Sequence, residues 1–151
     1  MEIKELRFTD EDISHLTQIL ESCEGVKVYC DREMSGVWFH SDDWSMELRL
    51  LLLMNFRLTV SRVCFIRRRQ GTMTKVMNFL ENYCKKHDIQ ELRIQSVLTK
   101  EMVGWCQKND FSPDENAALQ TGDFVIGDYR KKAGSSVLHE TAGKGNTSLS
   151  V

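Results

Sequence analysis

Apolar residues recur along this chain in two rhythms, and the change from one to the other marks out its elements. After "TDED", Ile13, Leu16, Ile19 and Leu20 fall at helical spacing through "ISHLTQILES", which predicts an amphipathic helix. Thr9 stands at its N-cap, Asp12 follows three residues on as a capping-box partner, and Gly25 is the stop. "MEIKELRF" ahead of it alternates imperfectly. "VKVYC" and "GVWFH" read as two short strands around the polar turn "DREMSG". "WSMELRLLLLMNF" fits either a buried strand or a short helix with Trp44, Leu48, Leu51 and Leu52 on one face; the helix is preferred.

From Leu58 the pattern is regular. "RLTVSRVCFI" is β-branched and bounded by charge, hence a strand, and "TMTKVMNFLENYCKK" sets Met73, Val76, Leu80 and Tyr83 along one helical face. "ELRIQSV" is a strand again. "TKEMVGWCQKND" is a helix with Thr99 as its cap, Met102, Val103 and Cys106 turned inward, and Asn109 and Asp110 at its left-handed end. Pro113 breaks the chain after Phe111, and "DFVIGDYR" is a last strand with Phe124, Ile126 and Asp128 on one side. The stretch from Ala133, rich in small polar residues and without periodicity, reads as a flexible tail, so the expected organisation is one domain over 1–132 followed by a tail over 133–151.

Composition narrows the class. The 151 residues, 41% hydrophobic and 28% charged, suffice for one ordinary core, and a net charge of -2 argues against nucleic acid as the partner. Basic charge is nonetheless gathered at Arg67, Arg68 and Arg69. Five cysteines with no CxxC pair point to reduced thiols and a cytoplasmic setting. The first residues, "MEIKELRFTDED", contain no apolar core of signal-peptide length, and "LRLLLLMNF" is too short to span a bilayer, so no membrane role is expected. No His/Cys spacing supports a metal site.

The chemistry concentrates where the strand ending at Ile66 turns into the next helix. First-turn N–H groups of a helix lack intrahelical acceptors and carry the positive end of its dipole, so they bind anions. Gly71 would let the backbone approach phosphate oxygens, and the arginines would add charge beside them.

These residues resemble the GNAT superfamily of acyl-CoA-dependent N-acetyltransferases. Its pyrophosphate motif is Gln or Arg, two variable residues, Gly, one variable residue, then Gly or Ala; here it reads Arg68-Arg69-Gln70-Gly71-Thr72-Met73, with Met73 in the last position. "KNDFSPD" is similar to the family's closing K-x-G-F signature, with Asp110 in the glycine position. The resemblance covers Leu58 to about Phe111, and the amino-terminal third by its strand, helix, hairpin order.

The resemblance implies an α/β fold of α+β three-layer type, a mixed central sheet with helices on both faces. It implies acetyl-CoA as co-substrate, direct transfer of acetyl to an amine of unspecified size, and no metal; a homodimer is compatible with it. The thioester carbonyl would meet a strand amide near Val63 or Cys64, and the pyrophosphate would lie over Arg68, Arg69, Gln70, Gly71, Thr72, Met73 and Thr74. Cys106, counted back from Phe111, occupies the place of the tyrosine that many members use as general acid towards the leaving thiolate; core packing is its other role. His40, Asp42 and Asp43 form the best titratable cluster on the substrate side, with His40 and Asp43 as candidates for the base, although an exposed polar turn explains them equally. The contrasting reading is a GNAT-like fold that has lost catalysis and serves as a binding or regulatory module, as in a phage or mobile element.

Overall fold

The computed structural model describes residues 6–67 and 71–133. The order is α1 (Asp10–Glu24), β1 (Tyr29–Glu33), β2 (Gly36–His40), β3 (Glu47–Leu53), β4 (Arg57–Cys64), α2 (Thr72–His87), β5 (Glu91–Val97), α3 (Lys100–Lys108), β6 (Ser112–Thr121) and β7 (Phe124–Lys132). The strands form one seven-stranded mixed sheet in the order β1-β2-β3-β4-β5-β7-β6, in which β4 and β5 are parallel and every other neighbouring pair is antiparallel.

The helix ends follow the local signals. Thr9 and Asp12 form the capping box, Gly25 closes α1 in the left-handed conformation at φ 70, and Thr99 accepts from the Met102 N–H at the start of α3. Asp110 is left-handed at φ 70 just past the end of α3.

Two elements differ from the sequence reading. The leucine-rich segment expected as a helix is the strand β3, because Leu48, Leu50 and Leu52 alternate into the core while Glu47 and Arg49 project to the opposite face and pair with Arg62 and Glu33. A period of two is hidden when the intervening positions are also leucine. Residues 112–121, left without an element by the sequence reading, form the edge strand β6. Pro113 is tolerated there because an edge strand and a register irregularity make fewer demands on its missing N–H, and the ladder with β7 slips between Pro113 and Ala118. At the amino end, residues 1–5 of the "MEIKELRF" segment lie outside the described residues and 6–9 carry no strand, while 26–28 precede rather than begin β1.

All three helices feed one core: Leu16 and Leu20 from α1, Val76 and Leu80 from α2, Val103 and Cys106 from α3, against Val37, Phe39, Leu48, Leu50, Leu58, Val60, Leu92, Ile94 and Tyr129 of the sheet. Charge buried in the sheet is paired. Arg93, with a side chain 9% exposed, donates to Glu91, Asp114 and Asp128 together. A buried guanidinium with its donors spread over three carboxylates meets the requirement that a buried charge be paired and hydrogen-bonded.

Candidate active site

The site begins where two parallel strands part. β4 pairs with β5 over Arg57–Val60 against Glu91–Ile94, and beyond that β4 runs on to Cys64 with a ladder partner in β3 only. Each strand carries an irregularity at the parting: the β3–β4 register shifts beside Ser61, and the β5–β7 register shifts between Ile94 and Val97, with Ser96 at φ 56. Bulges bend strands and raise local twist, so these irregularities divide the sheet at that point. Val63 and Cys64 lie on the parted half of β4; Cys64 is exposed, and its thiol donates to the Ser45 carbonyl at 3.7 Å.

The same end of the sheet receives the start of α2. Gly71 is its N-cap, left-handed at φ 78, with no side-chain cap and no acid in the first turn. A Cβ added at Gly71 would meet no described atom within 4 Å, so the backbone there faces open space. Such a start can accept an external anion. Thr72 is buried, Met73 is half-buried and packs against the core, and Thr74 is exposed with its hydroxyl 3.5 Å from the Trp105 Nε1 donor. Arg68, Arg69 and Gln70 lie outside the described residues.

The residues proposed for proton transfer are placed differently from one another. Cys106 is fully buried, and burial pushes its thiol up to about 12. His40 and Asp43 stand at the β2–β3 connection, joined to the parted half of β4 through the register His40–Glu47–Cys64. Both ring nitrogens of His40 are engaged, Nδ1 with the Ser41 carbonyl at 2.9 Å and Nε2 with Asp31 at 3.0 Å. Donors from the Ser45 hydroxyl, the Ser45 N–H and the Ser41 hydroxyl converge on Oδ1 of Asp43 and hold its carboxyl below the usual range.

Two features escaped the sequence reading. The first is Glu24, whose buried carboxylate reaches the turn ahead of α2. An acid at a helix C-terminus, opposed by the dipole, was the available signal. The second is an aromatic stack in which His40 lies parallel to Trp44 at 3.7 Å, with Tyr29 on the histidine at 5.9 Å. Trp44 holds φ 60, which no sequence pattern announces.

No protein-family model and no curated protein match the sequence. Solved structures are similar in fold at low identity. The ribosomal-protein-S18-alanine N-acetyltransferase of Escherichia coli matches with a TM-score of 0.50 at 8% identity, covering 88% of this chain and 94% of that one. Arabidopsis thaliana Naa50, solved with the bisubstrate analogue CoA-Ac-MVNAL, matches at 0.47 and 14% identity over 86% of this chain and 97% of that one. Nourseothricin acetyltransferase matches at 0.47 and 13% identity, where this chain covers 64% of the other's length. With the seven-stranded mixed sheet of its described residues, the parallel pair in it that parts midway and its likeness to the Escherichia coli enzyme, this chain has the fold of the GNAT N-acetyltransferases.

Proposed function

We propose that this protein is an acyl-CoA-dependent N-acetyltransferase that passes acetyl directly from acetyl-CoA to an amine. The observation that carries the reading is the meeting, at one end of the sheet, of the parted half of β4 with the uncapped, glycine-led start of α2. The chain's groups fit the co-substrate. Open space at Gly71 suits a pyrophosphate, the N–H groups of Thr72, Met73 and Thr74 begin the helix beside it, and Arg68 and Arg69 flank it in sequence. An amide at Val63 or Cys64, on the parted edge, would polarise the thioester carbonyl.

Acetyl-CoA would supply the activated acyl group; the chain's contribution is position and polarisation, with no covalent enzyme intermediate. In this reading water carries the protons. The Cys106 thiol is walled into the core, His40 has both nitrogens taken, and Asp43 is a carboxylate made less basic by its three donors. The burial of Cys106 also favours one alternative, a fold that binds CoA without turnover.

Acetyl-CoA at about a hundred times its dissociation constant should stabilise the fold by about 2.7 kcal/mol. Adding a panel of primary amines should then release free CoA thiol. Stabilisation without thiol release would favour the non-catalytic alternative, and neither effect would dismiss both readings.

A further inference from the structure

The turn between β4 and α2 is held from outside by one carboxylate. Glu24, the last residue of α1, is 1% exposed, and its Oε1 accepts from the Ile66 N–H at 2.5 Å and the Arg67 N–H at 3.2 Å. Its Oε2 accepts from the Thr72 hydroxyl at 2.7 Å. These partners stand 42 to 48 residues away and bracket the turn on both sides of Gly71's approach. Neither burial nor the negative end of its own helix favours a carboxylate in this place. Three hydrogen bonds to an anion offset that cost.

The contact is returned. α1 has no basic residue in its last turn, and the Arg67 guanidinium lies over its C-cap, so closely that a Cβ on Gly25 would collide with it. The end of α1 and the beginning of the turn therefore hold each other, the Glu24 carboxylate against backbone N–H groups and the Arg67 guanidinium against the C-cap.

We infer that Glu24 is a positioning residue for the phosphate-bearing ligand: it ties Ile66 and Arg67, at the end of the β4 side, to Thr72 at the start of α2, so that this start stands ready as an anion receptor. This rests on the CoA-binding reading above. Glu24 consumes the N–H groups of Ile66 and Arg67, which leaves the first-turn groups of α2 for the ligand. Without it, two amides lose their acceptor, the turn relaxes to solvate them, and the ligand must bear the cost of ordering it again.

Glutamine can reproduce the geometry, its carbonyl oxygen accepting from the two N–H groups and its amide donating to the Thr72 hydroxyl. Calorimetric titration with CoA, below the melting range of each variant, should therefore give Glu24→Ala a dissociation constant raised about tenfold or more. Glu24→Gln should stay within about threefold of the unmodified protein. Glu24→Asp keeps the charge but withdraws it by one methylene, and should weaken binding at least about fivefold, which keeps the test alive if the alanine variant does not fold. Amide exchange at Ile66 and Arg67 should quicken in Glu24→Ala and Glu24→Asp and not in Glu24→Gln. CoA binding unchanged by both Glu24→Ala and Glu24→Asp, or a glutamine variant as weak as alanine, overturns the inference while leaving the proposed function standing. Failure of the unmodified protein to bind CoA overturns both.

Discussion

Two helices of this fold begin in opposite ways. α1 starts at a threonine whose hydroxyl accepts from the Asp12 N–H while the Asp12 carboxylate accepts from the Thr9 N–H, with Asp10, Glu11 and Asp12 in the first turn complementing the positive end of the dipole. α2 starts at a bare glycine with no side-chain cap and no acid. The first helix closes its start with a reciprocal pair of hydrogen bonds between two of its own residues. The second leaves its own donors facing open space at the end of the sheet where β4 and β5 part, and is steadied from behind by Glu24 rather than from its own sequence. The difference separates an end closed by its own side chains from an end left without a side-chain cap, where the proposed ligand would bind.

Three substitutions test that separation. The largest effect on stability should come from the inner face of α2: Leu80, fully buried, should cost about 3 kcal/mol as Leu80→Ala, read by denaturant unfolding. Its CoA affinity, measured where the variant is folded, should not change. At the helix's open start, Gly71→Asp should weaken CoA binding by about tenfold or more, because it sets a negative side chain in the anion's approach, while left-handed strain costs about 1–2 kcal/mol of stability. Unaltered affinity with an intact circular dichroism spectrum would remove this turn as the site. The mirror experiment is Thr9→Ala, which should cost about 1 kcal/mol and leave CoA affinity untouched.

The smallest effect at neutral pH belongs to the core thiols. Burial pushes Cys84 of α2 and Cys106 of α3 up to about 12 from an ordinary value of 9.0. Between those values the unfolded chain loses protons that the native state retains, so the stability these groups contribute is complete below pH 9 and falls as pH rises towards 12. Replacing both by alanine should flatten that alkaline slope. Cys106→Ala alone should leave turnover at neutral pH nearly intact; a collapse of turnover with affinity preserved would instead make the thiol part of the reaction.

What the sequence disclosed was what its neighbours in the chain determine. The caps at Thr9, Gly25 and Thr99, the face of Val76, Leu80 and Tyr83, and the glycine ahead of α2 all depend on residues within a turn or two. β3 was misread because its leucines erase the alternation that only the cross-strand pairing with β2 and β4 restores. β6 was missed because its ladder slips after Pro113, where Asp114 turns away to Arg93. Glu24 was only half legible: its place at the unfavourable end of a helix was a local signal, but its partners lie 42 and more residues further on and nothing near it in the chain announces them.

The central claim is that the upper half of β4 and the start of α2 form one ligand site. Amide chemical shifts of the 17.5 kDa protein, followed through a titration with CoA, test it most directly. The account predicts saturable shifts at Val63, Cys64 and the stretch from Ile66 to Thr74, with little change at Thr9 to Asp12, where α1 closes itself. No saturable shift, or shifts gathered away from that turn, would contradict it.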